Sequence, residues 1–507
     1  MSYLLGLDIG STNLKAVLYD LHGNSIAKAS GPTQRVNPDL DHPDWAIWQP
    51  QQIWDGIANS IRQVVSQIDT PQDIKAVAVT GMGMDGVPID KSGDWLYPFI
   101  SWHCPRTKPQ QDWWIENVGA EKQFSISGSQ IWPFNTALRL MWMKENEPEI
   151  LSRTHKWLLI EDFVNFMLCG EHATDYSMAS STLLFDQKKR QWSDELIDIA
   201  GIDKNLLCDP KPSGTVLGHV HRKASEKTGL AKGTPVVLGG HDYSCGCLPT
   251  GAFVPGIILA VIGTWEMAVA TLDQPVLSDS LCNMGAIVDS HVAPDKWAIL
   301  AATVAGDMLE WFRSRFGCEE VKQAEDEKLS SWHYLVEKAS ESPIGSNGVL
   351  FLPHMSGSFC PVIDPESTGA FIGLRNINTK ADMFRAVIEG VNFQFLNIIE
   401  DLEASLTESA EKVIAIGGGT KNDLWMQSKA DMTSKIVEIP EIDEAVPLGA
   451  AMLAGIGAGL YDNLQQAFEA VSKSSRVIEP DEKAHAKYLD IYQQYKKLYP
   501  ALKNISH

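Results

Sequence analysis

Tyr3-Leu-Leu-Gly-Leu-Asp-Ile-Gly-Ser-Thr is an apolar run that ends on an acid and a turn of small residues. Apolar alternation resumes at once in Leu14-Lys-Ala-Val-Leu-Tyr-Asp, so the pattern predicts two strands around a tight hairpin. The same unit returns at residues 256–270, Gly-Ile-Ile-Leu-Ala-Val-Ile-Gly-Thr-Trp-Glu-Met-Ala-Val-Ala, with Gly263 standing 253 positions after Gly10 in a chain of 507. Read alone, these are either two unrelated hairpins or the openings of two copies of one domain with a cleft between them.

Periodicity along the chain supports an α/β reading. An amphipathic helix is predicted over Pro50–Ile68, with Ile53, Ile57, Ile61, Val64, Val65 and Ile68 on one face. A strand follows at Ile74–Thr80. The second half offers a helix near Asp307–Phe316, a Gly/Pro/Ser-rich loop over Leu352–Gly373 and a helix over Lys380–Leu402. A strand at Lys412–Ile416 then runs into Gly417-Gly-Gly-Thr. The last long helix, near Asp481–Leu498, carries Tyr488, Tyr492 and Tyr495 on one face. This predicts two α/β domains, residues 1–251 and 252–507.

Composition narrows the partners. Lys plus Arg total 42 against 64 Asp plus Glu, a formal charge of −22, so most of the surface repels phosphate backbones and anionic lipid. No nucleic-acid or membrane partner is expected. Any phosphate must be held locally, by backbone amides, a metal ion or a few placed cations. The 8 cysteines are too dilute for a disulfide framework. Cys245-x-Cys247 lacks a second Cys/His pair at zinc spacing and reads as small buried residues. The N-terminus shows no basic leader region, and the weakly charged stretch Val254–Thr271 contains Glu266 and two glycines. It reads as two buried strands, and the cytoplasm is the expected location.

Gly81-Met-Gly-Met-Asp-Gly86 follows a strand and matches G-x-G-x-x-G. A dinucleotide site needs a helix next, with its N-terminus facing the pyrophosphate. Here Val87-Pro-Ile-Asp-Lys-Ser-Gly-Asp reads as strand and hairpin, which argues against that use. No P-loop pattern occurs anywhere in the chain.

Three small-residue turns remain as phosphate or nucleotide candidates. Asp8-Ile-Gly-Ser-Thr-Asn-Leu-Lys15 sets a carboxylate at a strand end beside hairpin amides and hydroxyls. Gly263-Thr264 is a second turn of the same make, and Gly417-Gly-Gly-Thr lies between a strand and a helix. Each could be only a glycine-permitted turn; the three in this order favour a nucleotide.

Two longer stretches carry a resemblance. Phe134-Asn-Thr-Ala-Leu-Arg-Leu-Met-Trp-Met-Lys-Glu-Asn146, and Gly369-Ala-Phe-Ile-Gly-Leu-Arg through Asp382-Met-Phe-Arg-Ala-Val-Ile-Glu389, resemble the two signatures of the FGGY carbohydrate kinases. The resemblance covers nearly the whole chain. Arg139 stands where the first signature usually has Lys, which keeps the charge and changes its shape. The resemblance implies two duplicated actin/hexokinase-like (ribonuclease H-like) domains flanking a catalytic cleft. It also implies ATP and Mg²⁺ as cofactors, a small-molecule sugar as substrate and, commonly, a homodimer. Carried onto this chain, Thr12, Asn13 and Lys15 would face the transferring phosphate, and Asp8 would hold the metal through water. Gly263 and Thr264 would hold the β- and γ-phosphates, while Gly418, Gly419 and Asn422 would contact the adenosine. Asp242, in Gly239-Gly-His-Asp-Tyr, matches the catalytic carboxylate and lies where it could also touch the metal. A sugar hydroxyl needs such a base to accept its proton. The local alternative for Asp242 is a helix N-cap.

The resemblance places a sugar-contacting polar residue at Asp85, whose alternative is a turn-capping role. Trp102, His103, Phe134 and His241 are further sugar-contact candidates, with core packing the alternative for the first three. Ser101-Trp-x-Cys-Pro-Arg-Thr107, Gly240-His-Asp242 and Gly263-Thr-Trp-Glu266 resemble the L-fuculokinase branch. The Pro353-His-Met-Ser-Gly-Ser loop and the second signature look more like the xylulokinase branch. A kinase of a ketopentose, a deoxyketohexose such as L-fuculose, or a related sugar is therefore expected, acting on the terminal primary hydroxyl. The competing class is a filament-forming or chaperone ATPase of the same fold, which would need neither Asp242 in its Gly-His-Asp turn nor Asp85.

Overall fold

The computed structural model describes residues 1–406 and 408–505. In the first half the strands are β1 (Tyr3–Ile9), β2 (Asn13–Asp20), β3 (Ser25–Pro32), β4 (Ile74–Gly81), β5 (Val216–His219) and β6 (Pro235–His241). They form one sheet in the order β5-β6-β4-β1-β2-β3. β2 is antiparallel to both β1 and β3, whereas β4 and β6 run parallel to β1.

The second half contributes β7 (Ile257–Ile262), β8 (Trp265–Leu272), β9 (Ile287–Ser290), β10 (Trp297–Val304), β11 (Lys412–Ile416), β12 (Ile436–Pro440) and β13 (Ser475–Ile478). Their order is β9-β10-β8-β7-β11-β12-β13. β7, β8 and β10 again form the antiparallel set, and β11 and β12 lie parallel to β7. The five central strands of the two sheets thus share one plan: an antiparallel meander followed by two parallel strands on the far side of the first. The duplication suggested by the two hairpins is real.

The helices used below are α1 (Pro50–Val65), α2 (Thr136–Asn146), α3 (Ile160–Cys169), α4 (Asp242–Cys247), α5 (Gly306–Phe316), α6 (Lys380–Glu403), α7 (Asp423–Thr433), α8 (Ala445–Gly457) and α9 (Glu482–Tyr495). Pro at its N-terminus and apolar residues at helical spacing make α1, which buries Ile53, Ile57, Ile61 and Val64. It stops three residues short of the predicted end, where Ser66 and Gln67 close a turn. The predicted loop over 352–373 contains a strand, Ala370–Ile372, paired with Leu350–Leu352. Phe351 and Phe371 face each other across it, with ring centroids 4.6 Å apart, which is why it pairs despite its loop-like composition. Helix α9 buries Tyr488, Tyr492 and Tyr495, and Phe393 of α6 stacks on Tyr492 at 5.8 Å.

Each sheet has its own apolar core, and a third joins the first sheet to a helix from the second half. Leu4, Val17, Ala76, Ala78 and Val237 of the first sheet pack against Leu448, Ala451, Met452 and Leu453 of α8. A helix from the second half therefore covers one face of the first sheet. The approach is backbone to backbone: a β-carbon at Gly6 of β1 would overlap the Pro447 carbonyl, and one at Gly449 would overlap the Cys245 carbonyl of α4. Among the described residues no helix is long and apolar enough to cross a membrane.

Gly6→Ala tests this junction. Its methyl must push α8 off β1, so the expected loss is at least the about 1–3 kcal/mol of an overpacked core. Chemical or thermal denaturation reads it, and an unchanged unfolding midpoint would refute the tight packing.

Candidate active site

The C-terminal ends of β1 and β6 and the turn between β1 and β2 converge at the junction. Asp8, near the end of β1, is opposite Lys15 in the ladder to β2. The Asp8 carboxylate is buried and has no hydrogen-bond donor among the described residues. Burial, reinforced by the charge of Asp242 and only partly opposed by Lys15, pushes its pKa up to about 7. Lys15 is ion-paired at 2.8 Å with Glu444, the residue that precedes α8. Thr12 and Asn13 are exposed in the turn, which is closed by the Gly10 amide donating to the Asn13 carbonyl at 3.1 Å.

Asp242 is the first residue of α4, and the cap position belongs to His241, so the N-cap alternative does not describe it. Its Oδ1 accepts from the Tyr243 amide at 2.6 Å and lies 2.7 Å from His241 Nδ1. Its Oδ2 has no donor among the described residues, and 35% of the side chain is exposed. Burial acts to lower the His241 pKa, but the adjacent Asp242 carboxylate overrides it and the net shift is upward. The turn before α4 is held from beneath: the buried Glu161 of α3 accepts the Gly239 amide at 3.0 Å, and the His241 amide donates to Ser177 Oγ at 2.8 Å. Asp242 thus brings a carboxylate close enough to Asp8 to raise the cost of ionising Asp8. That donor set, with a carboxylate lacking a protein donor, suits a hard divalent cation that keeps most of its waters.

On the second lobe Gly263 and Thr264 are exposed between β7 and β8. Their carbonyls accept the Gly306 and Asp307 amides at 3.1 and 3.2 Å, tying the turn to the start of α5. A β-carbon at Gly263 would meet only the Trp265 carbonyl oxygen, at 3.8 Å. The turn after β11 divides its three glycines. Gly417 (φ +100°) and Gly419 are required by the fold, because β-carbons there would overlap Ile262. Gly418 has no atom within 4 Å of that position. The protein itself leaves this space open, as a site for a ligand pressed against the backbone requires. Asn422 commits its Oδ1 to capping α7 through the Trp425 amide at 3.0 Å.

The turn at residues 81–86 departs from expectation. Asp85 is fully buried rather than presented to the cleft. Trp48 Nε1 and the Trp102 amide donate to its Oδ2 at 2.6 and 3.2 Å, and Arg139 is ion-paired to Oδ1 at 2.8 Å. Burial pushes the Asp85 pKa up, against the pull of Arg139 and Trp48. Arg139 and Thr136 of α2 also donate to the Met84 carbonyl at 2.6 and 2.7 Å, fixing Met84 at φ +75°. The glycines of the G-x-G-x-x-G match are packing devices: β-carbons at Gly83 and Gly86 would strike the His241 and Trp157 rings.

Above Asp85 lies an aromatic wall. Trp102 is 37% exposed, so core packing does not describe it; His103 stacks on it at 3.8 Å and Phe134 meets it edge-on at 6.3 Å. His103 is also 3.1 Å from Ser101 Oγ, and burial holds its pKa below the ordinary value. Cys245 and Cys247 are buried free thiols, and among the described residues no group of three His, Cys, Asp or Glu side chains gathers into a metal cage. Sequence reasoning missed Trp48, Glu444 and the partnership of Arg139 with Asp85. The first two carry no local signal, being 37 and 429 residues from the groups they bind. A lone cation within the apolar run of α2 was a signal for the third.

Residues 3–249 match the N-terminal domain of the FGGY family of carbohydrate kinases, and residues 258–458 match its C-terminal domain. The chain is 30% identical over 483 residues to L-fuculokinase of Escherichia coli K12, covering 94% of this chain and 97% of that one. It is 30% identical over 513 residues to autoinducer-2 kinase of Salmonella typhimurium LT2, covering 98% and 94%. Xylulose kinase from Rhodospirillum rubrum superimposes with a TM-score of 0.90 at 26% identity, covering 100% of both chains.

Asp8 predicts a pH dependence. Its folded pKa of about 7 exceeds the ordinary 3.8, so its stabilising protonation is complete below the lower value and lost as pH rises through the upper one. Without nucleotide or metal, Asp8→Asn should unfold at higher temperature than the parent at pH 8, with the gap closing towards pH 4. Every tenfold difference in proton affinity between the folded and unfolded chain is worth about 1.4 kcal/mol. Parallel melting curves across that range would contradict the burial argument.

Proposed function

The chain belongs to the FGGY family of carbohydrate kinases, and from that membership we propose that it transfers the γ-phosphoryl group of ATP to a sugar hydroxyl. The acceptor is the terminal primary hydroxyl of a ketopentose, a deoxyketohexose such as L-fuculose, or a related sugar. The observation that carries this reading is Asp242, partly exposed with one unclaimed oxygen beside the buried Asp8. Asp242 Oδ2 accepts the hydroxyl proton as the sugar oxygen bonds to the γ-phosphorus and the bond from that phosphorus to the β,γ-bridging oxygen breaks, releasing ADP. His241 and the Tyr243 amide hold Oδ1, which orients the carboxylate and leaves Oδ2 free.

The hairpin with Thr12, Asn13 and Lys15 and the turn with Gly263 and Thr264 hold the phosphates from opposite lobes. The nucleoside lies along Gly418 and Gly419, with Asn422 fixing the helix behind them. Asp8, with Asp242 nearby, would hold Mg²⁺ through water, and the ion would supply charge neutralisation on the phosphates. Holding phosphates from both lobes requires the cleft to close and exclude water.

The sugar lies against Trp102, His103 and Phe134, with His241 at its reactive end. Asp85 acts through Trp102: its carboxylate grips that amide from below and Arg139 balances the charge. Similarity to L-fuculokinase over nearly the full chain supports the deoxyketohexose, and the xylulose kinase likeness supports the ketopentose.

Turnover of ATP to ADP with Mg²⁺ should rise strongly with one member of a panel of L-fuculose, D-ribulose, D- and L-xylulose and glycerol. ADP release indifferent to all of them would count against the substrate class. Asp242→Asn should lower kcat by roughly 10²- to 10⁴-fold, the usual contribution of a general base, with ATP affinity by calorimetry little changed. A variant that retains most of its turnover removes Asp242 from the base role.

A further inference from the structure

Beneath the two nucleotide turns lies an ion pair that the phosphoryl-transfer reading does not use. Glu266 of β8 and Lys429 of α7 are both completely buried, 2.7 Å apart. Neither has a further hydrogen-bond partner among the described residues, and the Lys429 ammonium sits 3.7 Å over the Phe395 ring of α6. Burial opposes charge on both: it raises the Glu266 pKa and lowers that of Lys429. A buried pair of this kind contributes little net stability, since well-packed apolar residues of similar volume commonly do as well or better.

Its placement gives it another use. Glu266 is two residues beyond Thr264 and pairs with Ile262 across the hairpin that carries the phosphate turn. Lys429 is in the helix that Asn422 caps, directly after the adenosine turn. The two turns already meet where Gly419 packs on the buried Ile262. One contact between a strand end and a helix end is a pivot; a second, deeper along the same helix, fixes the tilt. The Asn392 side chain, which exchanges hydrogen bonds with Trp425 and donates to Ser428, holds α7 from the α6 side.

We propose that Glu266 and Lys429 are positioning residues that set the spacing between the phosphate turn at Gly263–Thr264 and the adenosine turn at Gly417–Gly419. The inference rests on the assignment of those turns to ATP. A misplacement of order 1 Å can cost roughly 10²-fold in rate.

The test compares the parent, Glu266→Met/Lys429→Met and Gly418→Val, measuring unfolding midpoint, calorimetric ATP affinity, and KM and kcat for ATP and for sugar. The Met pair should fold with an undiminished midpoint yet lose about 10- to 100-fold in kcat/KM for ATP, with the sugar KM unchanged. Gly418→Val, whose β-carbon meets no protein atom within 4 Å, should weaken ATP binding by itself. Parental ATP kinetics in the Met pair, with Gly418→Val impaired, overturns the positioning role alone. Parental ATP affinity in both overturns the nucleotide assignment and the positioning role with it. Should the Met pair fail to fold, Lys429→Arg decides: it keeps the charge but lengthens the spacer, and parental ATP kinetics there would refute the proposal.

Discussion

The contact of α8 with the first lobe is the constraint on which the rest of the site depends. Gly6 and Gly449 let one helix from the second half lie against β1 and α4, carbonyl to α-carbon. β1 ends in Asp8 and Ile9, α4 begins with Asp242, and Glu444, just before α8, ion-pairs with Lys15. Four charged groups from three distant parts of the sequence are therefore located by one packing event. Their relative positions follow from backbone contact, which is stiff, rather than from side-chain rotamers, which are soft.

Electrostatics explain why such stiffness is needed. The chain carries a net −22, yet its chemistry handles a polyanion. Asp8 is held where burial and Asp242 resist its ionisation, and the nearest cation, Lys15, is shared with Glu444. Such a site is poorly neutralised by its own side chains, so a divalent cation and fixed backbone amides become the physically reasonable counter-charges. The cost of gathering these acids falls on folding, and the α8 junction and the apolar cores around it offset that cost.

Much of the fold was legible because it is written in local period. The two strand–turn–strand units, α6 and β11 are each specified by their own residues, and their doubling predicted the two sheets. Motif singled out Asp242 and the Gly263 turn as candidates, and the structure sets each directly after a strand. What lay beyond reach is contact between remote segments. Trp48 donating to Asp85 and Glu444 pairing with Lys15 leave no periodic trace. Asp85 shows the consequence. The resemblance placed it as a sugar-contacting acid, but the Arg139 guanidinium in α2, Trp48 and the Trp102 amide occupy its carboxylate. A lone basic residue in an apolar helix must find a buried counter-charge or a carbonyl. Arg139 finds both, in Asp85 and Met84.

Glycines at the site separate into two kinds once each absent β-carbon is considered. Gly6, Gly417, Gly419 and Gly449 are demanded by neighbouring atoms of the protein, so their identity is a property of folding. Gly418 and Gly263 face space that nothing in the protein fills closely, and neither needs a left-handed backbone. A side chain would cost the fold little at either, and Gly itself carries an entropic penalty on folding. At both positions the bare backbone is therefore available to a ligand rather than required by the fold. The two free positions lie in neighbouring turns that meet at Ile262, so a ligand laid along both would find bare backbone at each.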